Sequence, residues 1–373
     1  MSLARRFGGA GIRRGIRVSG GNRILLPLSA GTFSRSSSAT YMTGAASLAT
    51  ALSNALRFED RGDGNGPLVL LEGARTNLFD HRRPNNFSNK NAVVINALAG
   101  TSLLDGRTQD TVDFGLSAPN HQIFDITGRT TVLNNFYTHA LWIKKVSGSN
   151  SNTLLLAQTN TQGAGFDISF TFNDTAWHYL SATGDYGAAR AIGQLARDNT
   201  VETKTLIWDA HQFEQRKFPS SYVDVSGSSA SAVADVLTFA SGAYPSRLVS
   251  GRWKFHWYPY FANDEVDSDV VLLSFGGASD ELRYVSSTDK LEVFTSGVSR
   301  GASSALTFSR HQKITITLDW PARKMTIAGA TTGDGDTTLT STDEWPDNVT
   351  LRIGGRQGSA QEAFGRYSDL LAA

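Results

Sequence analysis

Residues 314–320, ITITLDW, alternate apolar and polar side chains with a period of two. Residues 253–257, WKFHW, repeat that alternation with larger aromatic rings. Successive side chains of a β-strand point to opposite faces, so this pattern buries one face and leaves the other toward water. The two stretches therefore predict half-buried strands of an antiparallel sheet, with Trp253, Phe255 and Trp257 in a core.

The same pattern recurs along most of the chain. Residues 166–172, FDISFTF, alternate, and other short apolar stretches are separated by Gly, Asn and Ser turns. The other predicted strands are residues 68–71, 139–143, 177–180, 188–197, 204–208, 222–225, 270–275, 282–285, 291–294, 324–327 and 349–353. Short strands at this spacing, without strand–helix–strand alternation, predict an all-β protein. Its parts are an extended N-terminal anchor and two antiparallel β-sandwich (jelly-roll) domains.

Two segments interrupt the strand pattern. The Ala and Leu content of residues 45–56 favours a helix, although Gly44 and the neighbouring Ser and Thr oppose it. Residues 226–231, SGSSAS, have the composition of a linker. We therefore predict a boundary near residue 240.

Composition excludes several classes of protein. The 373 residues include no cysteine, which excludes disulfides, thiolate zinc sites, iron–sulfur clusters and cysteine nucleophiles. No segment approaches the roughly 18 consecutive apolar residues of a membrane-spanning helix. A net charge of +1 gives the whole molecule no preference for nucleic acid or acidic lipid. No apolar secretory signal follows Met1, so we expect no export by that route.

The N-terminal segment is a local exception to this neutrality, because no acidic residue precedes Glu59. Its arginines are Arg5, Arg6, Arg13, Arg14, Arg17, Arg23, Arg35 and Arg57. Intervening glycines favour an extended arm that orders on docking. Nucleic-acid binding through phosphates is one alternative. An amphipathic membrane anchor is another, but the glycines interrupt its apolar face.

Three N-terminal stretches carry a family resemblance: residues 32–41, TFSRSSSATY, residues 54–58, NALRF, and residues 71–78, LEGARTNL. In order and spacing they resemble the N-terminal module of fibre and spike proteins from tailed bacteriophages and gene transfer agents. Residues 213–215, FEQ, and 218–223, FPSSYV, are similar to the segment that closes the carbohydrate-binding-module-like jelly roll of those proteins.

The last third is similar to concanavalin-A-like laminin-G domains. Besides residues 314–320, the similarity lies in residues 351–355, LRIGG, and 364–369, FGRYSD. In that family the closing segment returns to pair beside the start of the domain. The resemblances imply a basic anchor and particle-docking module over residues 1–79, a jelly roll over 80–238 and a laminin-G-like sandwich over 239–373.

The family resemblance implies a non-enzymatic virion structural protein, a head spike or fibre that adheres to host-surface polysaccharide. It would assemble in the bacterial cytoplasm, form homo-oligomers and neither bind nucleic acid nor insert into membranes. Docking to a capsid vertex or tail would use Arg5, Arg6, Arg13, Arg14 and Arg17. The alternative is a receptor-binding tail fibre with polysaccharide depolymerase or esterase activity.

Two motifs have structural interpretations. Glu72, Arg75 and Asn77 lie beside the apolar residues 68–71, where charge-assisted hydrogen bonds would pin a crossing segment.

Residues 297–301, GVSRG, match the G-x-S-x-G pattern of esterase nucleophiles. That pattern requires a strand before it and a helix after it, whereas here it separates two predicted antiparallel strands. We predict a hairpin turn.

Acidic and aromatic clusters leave two alternatives each. Asp264, Asp267 and Asp269 would suit a structural calcium ion or form a solvated loop; no other cofactor is indicated.

Tyr258 and Tyr260 follow the aromatic stretch 253–257 near a predicted sheet edge. Exposed rings stack on sugars, so these two tyrosines are candidate glycan contacts, with core packing as the alternative. The rings of Tyr137, Tyr179 and Tyr186 have the same two interpretations.

Overall fold

The computed structural model describes residues 28–79, 82–86, 89–91, 93–104, 107–114, 121–130, 135–148, 153–157, 168–171, 174–186, 191–198, 203–225, 228–277, 279–340, 344–355 and 364–372. Almost all regular structure in these ranges is β, and the strand ladders are antiparallel. The predicted all-β class is therefore confirmed. Within the described ranges, no helix is long and apolar enough to cross a membrane.

Six strands precede residue 80: β1 (Gly31–Ser34), β2 (Ala39–Gly44), β3 (Ser47–Ala51), β4 (Arg57–Glu59), β5 (Leu68–Leu71) and β6 (Arg75–Asn77). The middle of the chain contains β7 (Asn89–Asn91), β8 (Val93–Thr101), β9 (Thr108–Phe114), β10 (His121–Thr130), β11 (Asn135–Gly148), β12 (Thr153–Ala157), β13 (Ile168–Thr171), β14 (Trp177–Tyr186), β15 (Ala191–Asp198) and β16 (Lys204–Glu214). Short 3₁₀ turns lie at Leu28–Ala30 and Pro84–Asn86.

The remaining strands are β17 (Ala230–Ala232), β18 (Val236–Phe239), β19 (Arg252–Pro259), β20 (Val270–Phe275), β21 (Glu281–Val285), β22 (Lys290–Thr295), β23 (Val298–Ala302), β24 (Ile314–Asp319), β25 (Lys324–Ala328), β26 (Gly335–Thr338), β27 (Leu351–Ile353) and β28 (Gly365–Ala372). One short helix, α1 (Arg247–Ser250), precedes β19.

Two seven-stranded sheets form what we call the C-terminal sandwich. Their strand orders are β1-β18-β27-β20-β21-β22-β23 and β26-β25-β24-β19-β28-β5-β4. Strand β24 buries Ile314, Ile316 and Leu318 and leaves the intervening side chains half-buried, as its alternation predicts. The closing strand β28 pairs with β19, as the laminin-G resemblance implies. One apolar core joins both sheets.

The middle of the chain forms two five-stranded sheets, which we call the middle sheets. Their orders are β14-β11-β16-β9-β8 and β13-β12-β15-β10-β7. The first sheet buries Leu141, Ile143 and Trp208, and Phe170 of β13 packs against that cluster. Strand β15 lies where residues 188–197 predict a strand.

The N-terminal strands connect the middle sheets to the C-terminal sandwich. Strand β1 pairs with β18, β5 lies between β28 and β4, and β6 pairs with β17. Met42 and Leu48 of the β2–β3 hairpin pack with Leu104 and Trp142. Residues 31–77 of the predicted anchor module thus belong to the folded body.

The predicted docking arm needs a correction at its C-terminal end. Arg35 and Arg57 are fully buried and form ion pairs with Asp235. They neutralise a carboxylate inside the fold, so they are not part of a solvated arm. The predicted docking residues, Arg5, Arg6, Arg13, Arg14 and Arg17, lie outside the described residues.

Two local predictions were also wrong. Residues 45–56 contain β3 of a hairpin instead of a helix, because the hairpin buries Met42 and Leu48. Residues 222–225 join no sheet, since side chains satisfy their backbone: the Gln212 side-chain oxygen accepts from the Val223 amide at 2.7 Å. The end of the predicted linker forms β17, and β18, which belongs to the C-terminal sandwich, ends next to the predicted boundary.

Candidate functional site

A cleft opens where the β2–β3 hairpin, the middle sheet that contains β11, β14 and β16, and the C-terminal sandwich meet. The empty space within it, counted out into open solvent, is about 520 Å³. We call it the central cleft; its lining residues are Tyr41, Met42, Leu48, Glu59, Arg61, Ala140, Trp142, Tyr179, Ala210, Gln212, Pro219, Ser220, Ser221, Tyr222, Tyr260 and His311. Widely separated segments supply these residues, so the cleft depends on the tertiary fold.

Aromatic rings form one wall of the central cleft. Trp142 on β11 and Tyr179 on β14 lie on neighbouring strands, with ring centroids 5.2 Å apart and planes inclined by 50°. Trp142 is buried, whereas Tyr179 and Tyr41 are half-buried. Burial raises the pKa of Tyr179 above its usual range, so its phenol keeps its proton at neutral pH.

A carboxylate with several partners, that of Glu59, also lines the central cleft. The Tyr260 hydroxyl donates a short hydrogen bond to Glu59. The same carboxylate lies 3.6 Å from Arg61 Nη1 and 3.7 Å from Arg366 Nε. Arg366 in turn donates to Asp63 at 2.6 Å. Two cations therefore face two carboxylates, and their charges cancel within this side of the central cleft.

His311 completes this side of the central cleft. Its backbone amide donates to the Pro259 carbonyl at 2.6 Å, and its φ of 62° is in the left-handed region. The imidazole meets the Tyr260 ring edge-on, with centroids 4.7 Å apart. Burial, with Arg61 and Arg366 nearby, holds the pKa of His311 well below its usual value. Its buried Nδ1 atom has no hydrogen-bond partner among the described residues.

The polar side chains at the floor of the central cleft already have hydrogen-bond partners within the protein. The Gln212 side-chain amide donates to Glu214 at 2.9 Å and to Ser220 at 3.0 Å. Its oxygen accepts from the Val223 amide. The Tyr222 hydroxyl donates to Asp224 at 3.1 Å. Because these groups already have protein partners, they leave little hydrogen-bonding capacity for a ligand.

Behind the floor lies a buried ionic cluster, which we call the charge network: Arg35, Arg57, Glu72, Arg75 and Asp235. The Glu72 carboxylate lies 2.8 Å from Arg57 and 3.3 Å from Arg75, and all three side chains are fully buried. Glu72 also accepts from the backbone amide and hydroxyl of Ser221, at 2.7 and 2.5 Å. The network thus fixes residue 221, which lines the central cleft.

Charges within the network lower the pKa of Glu72. Burial by itself raises the pKa of Glu72, but Arg75, Arg57 and the Ser221 hydrogen bonds outweigh it and lower that pKa to about 2. Glu72 therefore remains ionised throughout the physiological range. A permanently charged carboxylate in this position is a structural support.

Asn77 holds the crossing segment from the other end. Its side-chain amide donates to the carbonyls of His211 and Val223, at 3.1 and 3.0 Å. Its oxygen accepts from the amides of Phe79 and Phe213, at 3.2 and 3.1 Å. The motif residues Glu72, Arg75 and Asn77 thus tie β5 and β6 to the polar segment behind the central cleft.

The predicted glycan contacts need correction. Tyr258 and Tyr260 are only 2% and 3% exposed, so they form no open aromatic platform. The Arg366 guanidinium lies over the Tyr258 ring at 5.2 Å, and Tyr260 is bound to Glu59. Both rings are covered because β4 and β28 lie in the same sheet. Only Tyr260 lines the central cleft.

The predicted calcium ligands do not converge. Asp267 pairs with Lys217, and Asp269 accepts from the Ser286 amide at 3.2 Å. Asp264 is exposed. No group of three or more His, Cys, Asp or Glu side chains in the described part of the chain could hold a metal ion.

The G-x-S-x-G stretch lies in a hairpin, as predicted. Strands β22 and β23 pair antiparallel, and Ser296 and Gly297 form the turn with φ of 51° and 79°. Sequence reasoning singled out Tyr179 and Tyr260 but missed Glu59, Arg61, Trp142 and His311. No local pattern connects these four residues, which the fold brings together from separate strands and turns.

Comparisons with known proteins add little. No protein family and no curated protein matches the chain. Among solved structures, the full extracellular region of zebrafish Gpr126/Adgrg6 is similar with a TM-score of 0.25 and 9% identity. The match covers 74% of this chain and 35% of that one, so the chain spans about a third of its length. A TM-score this low carries no argument about function.

Proposed function

We propose that the protein is an adhesion protein that binds host-surface polysaccharide, and that the central cleft receives a sugar unit. The observation that carries this proposal is that the half-buried rings of Tyr41 and Tyr179 line the same cleft as the polar side chains of Glu59, Arg61 and His311. Sugar rings present apolar C–H faces to aromatic side chains and hydroxyls to polar groups. Clefts that combine both are ordinary sites for small polar ligands.

Unused hydrogen-bonding groups support the same ligand. Among the described residues, the hydroxyls of Tyr41 and Tyr179 have no protein partner, and neither has Nδ1 of His311. Arg61 uses only one guanidinium nitrogen, Nη1, for its hydrogen bond and ion pair. Phenols both donate and accept, as sugar hydroxyls do. The satisfied floor would position these groups without competing for the ligand.

The resemblance to phage and gene-transfer-agent spikes supports display of this site on a virion surface. There the protein would be a homo-oligomeric, non-enzymatic structural component, joined to other virion proteins through its N-terminal arm. Several weak sugar sites on one particle would act together, because each bound site raises the effective concentration of the next. Avidity would then compensate for a shallow cleft.

Binding is tested with immobilised bacterial surface polysaccharides and purified full-length protein. We expect the wild type to bind at least one of them and Tyr179→Ala to lose about tenfold or more, or 1.4 kcal/mol. His178→Ala is the matched control, since His178 lies next to Tyr179 on the same strand, faces the other side of the sheet and is outside the lining. Equal binding by all three proteins would remove the central cleft from the proposal. Release of reducing ends or acetate would favour the enzymatic alternative.

Display is tested separately. Residues 1–27 precede the described part of the chain, so deleting them leaves every described strand in place. We expect the shortened protein to fold with an unchanged unfolding midpoint but to be missing from purified particles when these are analysed by mass spectrometry. Normal incorporation would refute the docking role of Arg5, Arg6, Arg13, Arg14 and Arg17.

A further inference from the structure

We infer that the central cleft selects a neutral sugar unit over an acidic one such as a uronic or sialic acid. This inference rests on the proposed function and specifies its substrate class. It comes from the charges that line the cleft and from the hydrogen-bonding groups that remain unused.

The charge argument concerns Arg61, the cation among the described lining residues. Its guanidinium lies 3.6 Å from Glu59, which also faces Arg366, while Arg366 is paired with Asp63. The four charges sum to zero. A ligand carboxylate would add a negative charge directly beside the buried Glu59, where both neighbouring arginines already face a carboxylate, and burying a charge without its own partner is strongly unfavourable.

The hydrogen-bond argument leads to the same class. The unused groups are the phenols of Tyr41 and Tyr179 and the Nδ1 atom of His311. Burial raises the pKa of Tyr179 and lowers the pKa of His311, so both side chains are uncharged near neutral pH. Phenols and a neutral imidazole match hydroxyls. A carboxylate is best met by charged or multiple aligned donors. The remaining nitrogens of Arg61 would then act as hydroxyl donors within an already neutral pair.

A single substitution reverses the predicted selection. Glu59→Gln preserves the size of the side chain and an oxygen that accepts from Tyr260, but removes one negative charge. Arg61 and Arg366 then face only Asp63. The variant should gain binding to acidic polysaccharide, and the gain should weaken with salt because the uncompensated cation lies beside solvent.

The experiment compares dextran and mannan with polygalacturonate and polysialic acid, each at low and high salt. We expect the wild type to bind a neutral probe at least about tenfold more tightly than either acidic one. Glu59→Gln should bind an acidic probe about tenfold more tightly than the wild type does. The double variant Glu59→Gln/Arg61→Gln should lose that gain, since it removes the responsible cation.

The outcomes separate the two proposals. Preference of the wild type for an acidic probe, lost in Tyr179→Ala, would overturn the neutral-sugar inference and leave polysaccharide binding intact. Binding of none of the four probes, nor of the immobilised bacterial polysaccharides, would refute the proposed function itself. Thermal unfolding shows whether Glu59→Gln folds; if it does not, the wild-type preference alone decides.

Discussion

The C-terminal sandwich has a core of apolar and aromatic side chains, whereas the charge network behind the central cleft buries three arginines and two carboxylates. The first follows from local alternation, because any strand with an apolar face finds a partner sheet. The second requires particular residues at separations of up to 200 positions. The comparison teaches that the sandwich supplies generic stability, while the charge network specifies how the N-terminal strands pass behind the central cleft.

The largest expected effect comes from breaking the charge network. Glu72→Ala leaves Arg57 and Arg75 buried without their shared carboxylate, so we expect a loss of about 3 to 5 kcal/mol in the free energy of unfolding. Denaturant titration measures it. Asp336→Ala, which removes an exposed partner of Lys324, is the control and should leave the unfolding midpoint unchanged. Equal midpoints for the two variants would contradict the structural role of Glu72.

A cavity in the C-terminal sandwich should cost somewhat less. Ile316→Ala removes buried methyl groups from β24, with an expected loss of about 3 kcal/mol. Thr317→Ala on the opposite face of the same strand should stay within about 0.5 kcal/mol. If the two substitutions were equally harmful, the inward face of β24 would be assigned wrongly.

Acid should destabilise the protein through His139, a buried histidine of β11. Burial lowers the pKa of His139 from 6.5 to about 3. The unfolded chain therefore takes up a proton that the folded one does not, and stability falls as the pH drops from 6.5 toward 3. The expected loss is about 2 kcal/mol at about pH 5.

His139→Gln serves as the control for that prediction, because it removes the titrating group and should flatten the profile between about pH 6.5 and pH 5. Glu72 affects stability at lower pH. Because its pKa falls from 4.5 in the unfolded chain to about 2 in the folded one, its stabilising effect is complete above pH 4.5 and is lost as the pH falls toward 2. An unchanged slope in His139→Gln would assign the acid sensitivity to other groups, with His311 as the next candidate.

The smallest expected effect concerns the hairpin that carries the G-x-S-x-G stretch. Gly297 has a φ of 79°, and no atom lies near the position of an added Cβ, so Gly297→Ala tests backbone strain alone. We expect a loss of about 1 kcal/mol by thermal unfolding. Gly44→Ala, also in open space but without a positive φ, should change stability by only a few tenths of a kcal/mol. If Gly297→Ala left the stability unchanged, the positive φ assigned to Gly297 would be wrong.

The parts of the fold that could be predicted are those encoded by neighbouring residues. Alternation in residues 314–320 and 253–257 identified β24 and β19, and the Gly297 turn was identified by its flanking strands. The helix prediction for residues 45–56 was wrong because helix propensity is weak compared with the burial of Met42 and Leu48 in a hairpin.

The central cleft could not be predicted in the same way. Glu59 and Tyr260 are 201 positions apart, and no periodicity indicates that a tyrosine from β19's end will bind a carboxylate from β4. Asp235, the partner of Arg35 and Arg57, lies just after the predicted linker of residues 226–231, where no sequence pattern indicated a buried ion pair. The aromatic residues Tyr258 and Tyr260 were recognised as chemistry-bearing, but their burial depends on β4 and β5 lying beside β28.

The most direct test is a crystal structure of the full chain with a neutral oligosaccharide taken from whichever probe binds. Our account predicts a sugar ring in the central cleft, stacked on Tyr179 and hydrogen-bonded to the hydroxyl of Tyr41 or to His311. A sugar bound on another surface, with the cleft unchanged, would contradict it.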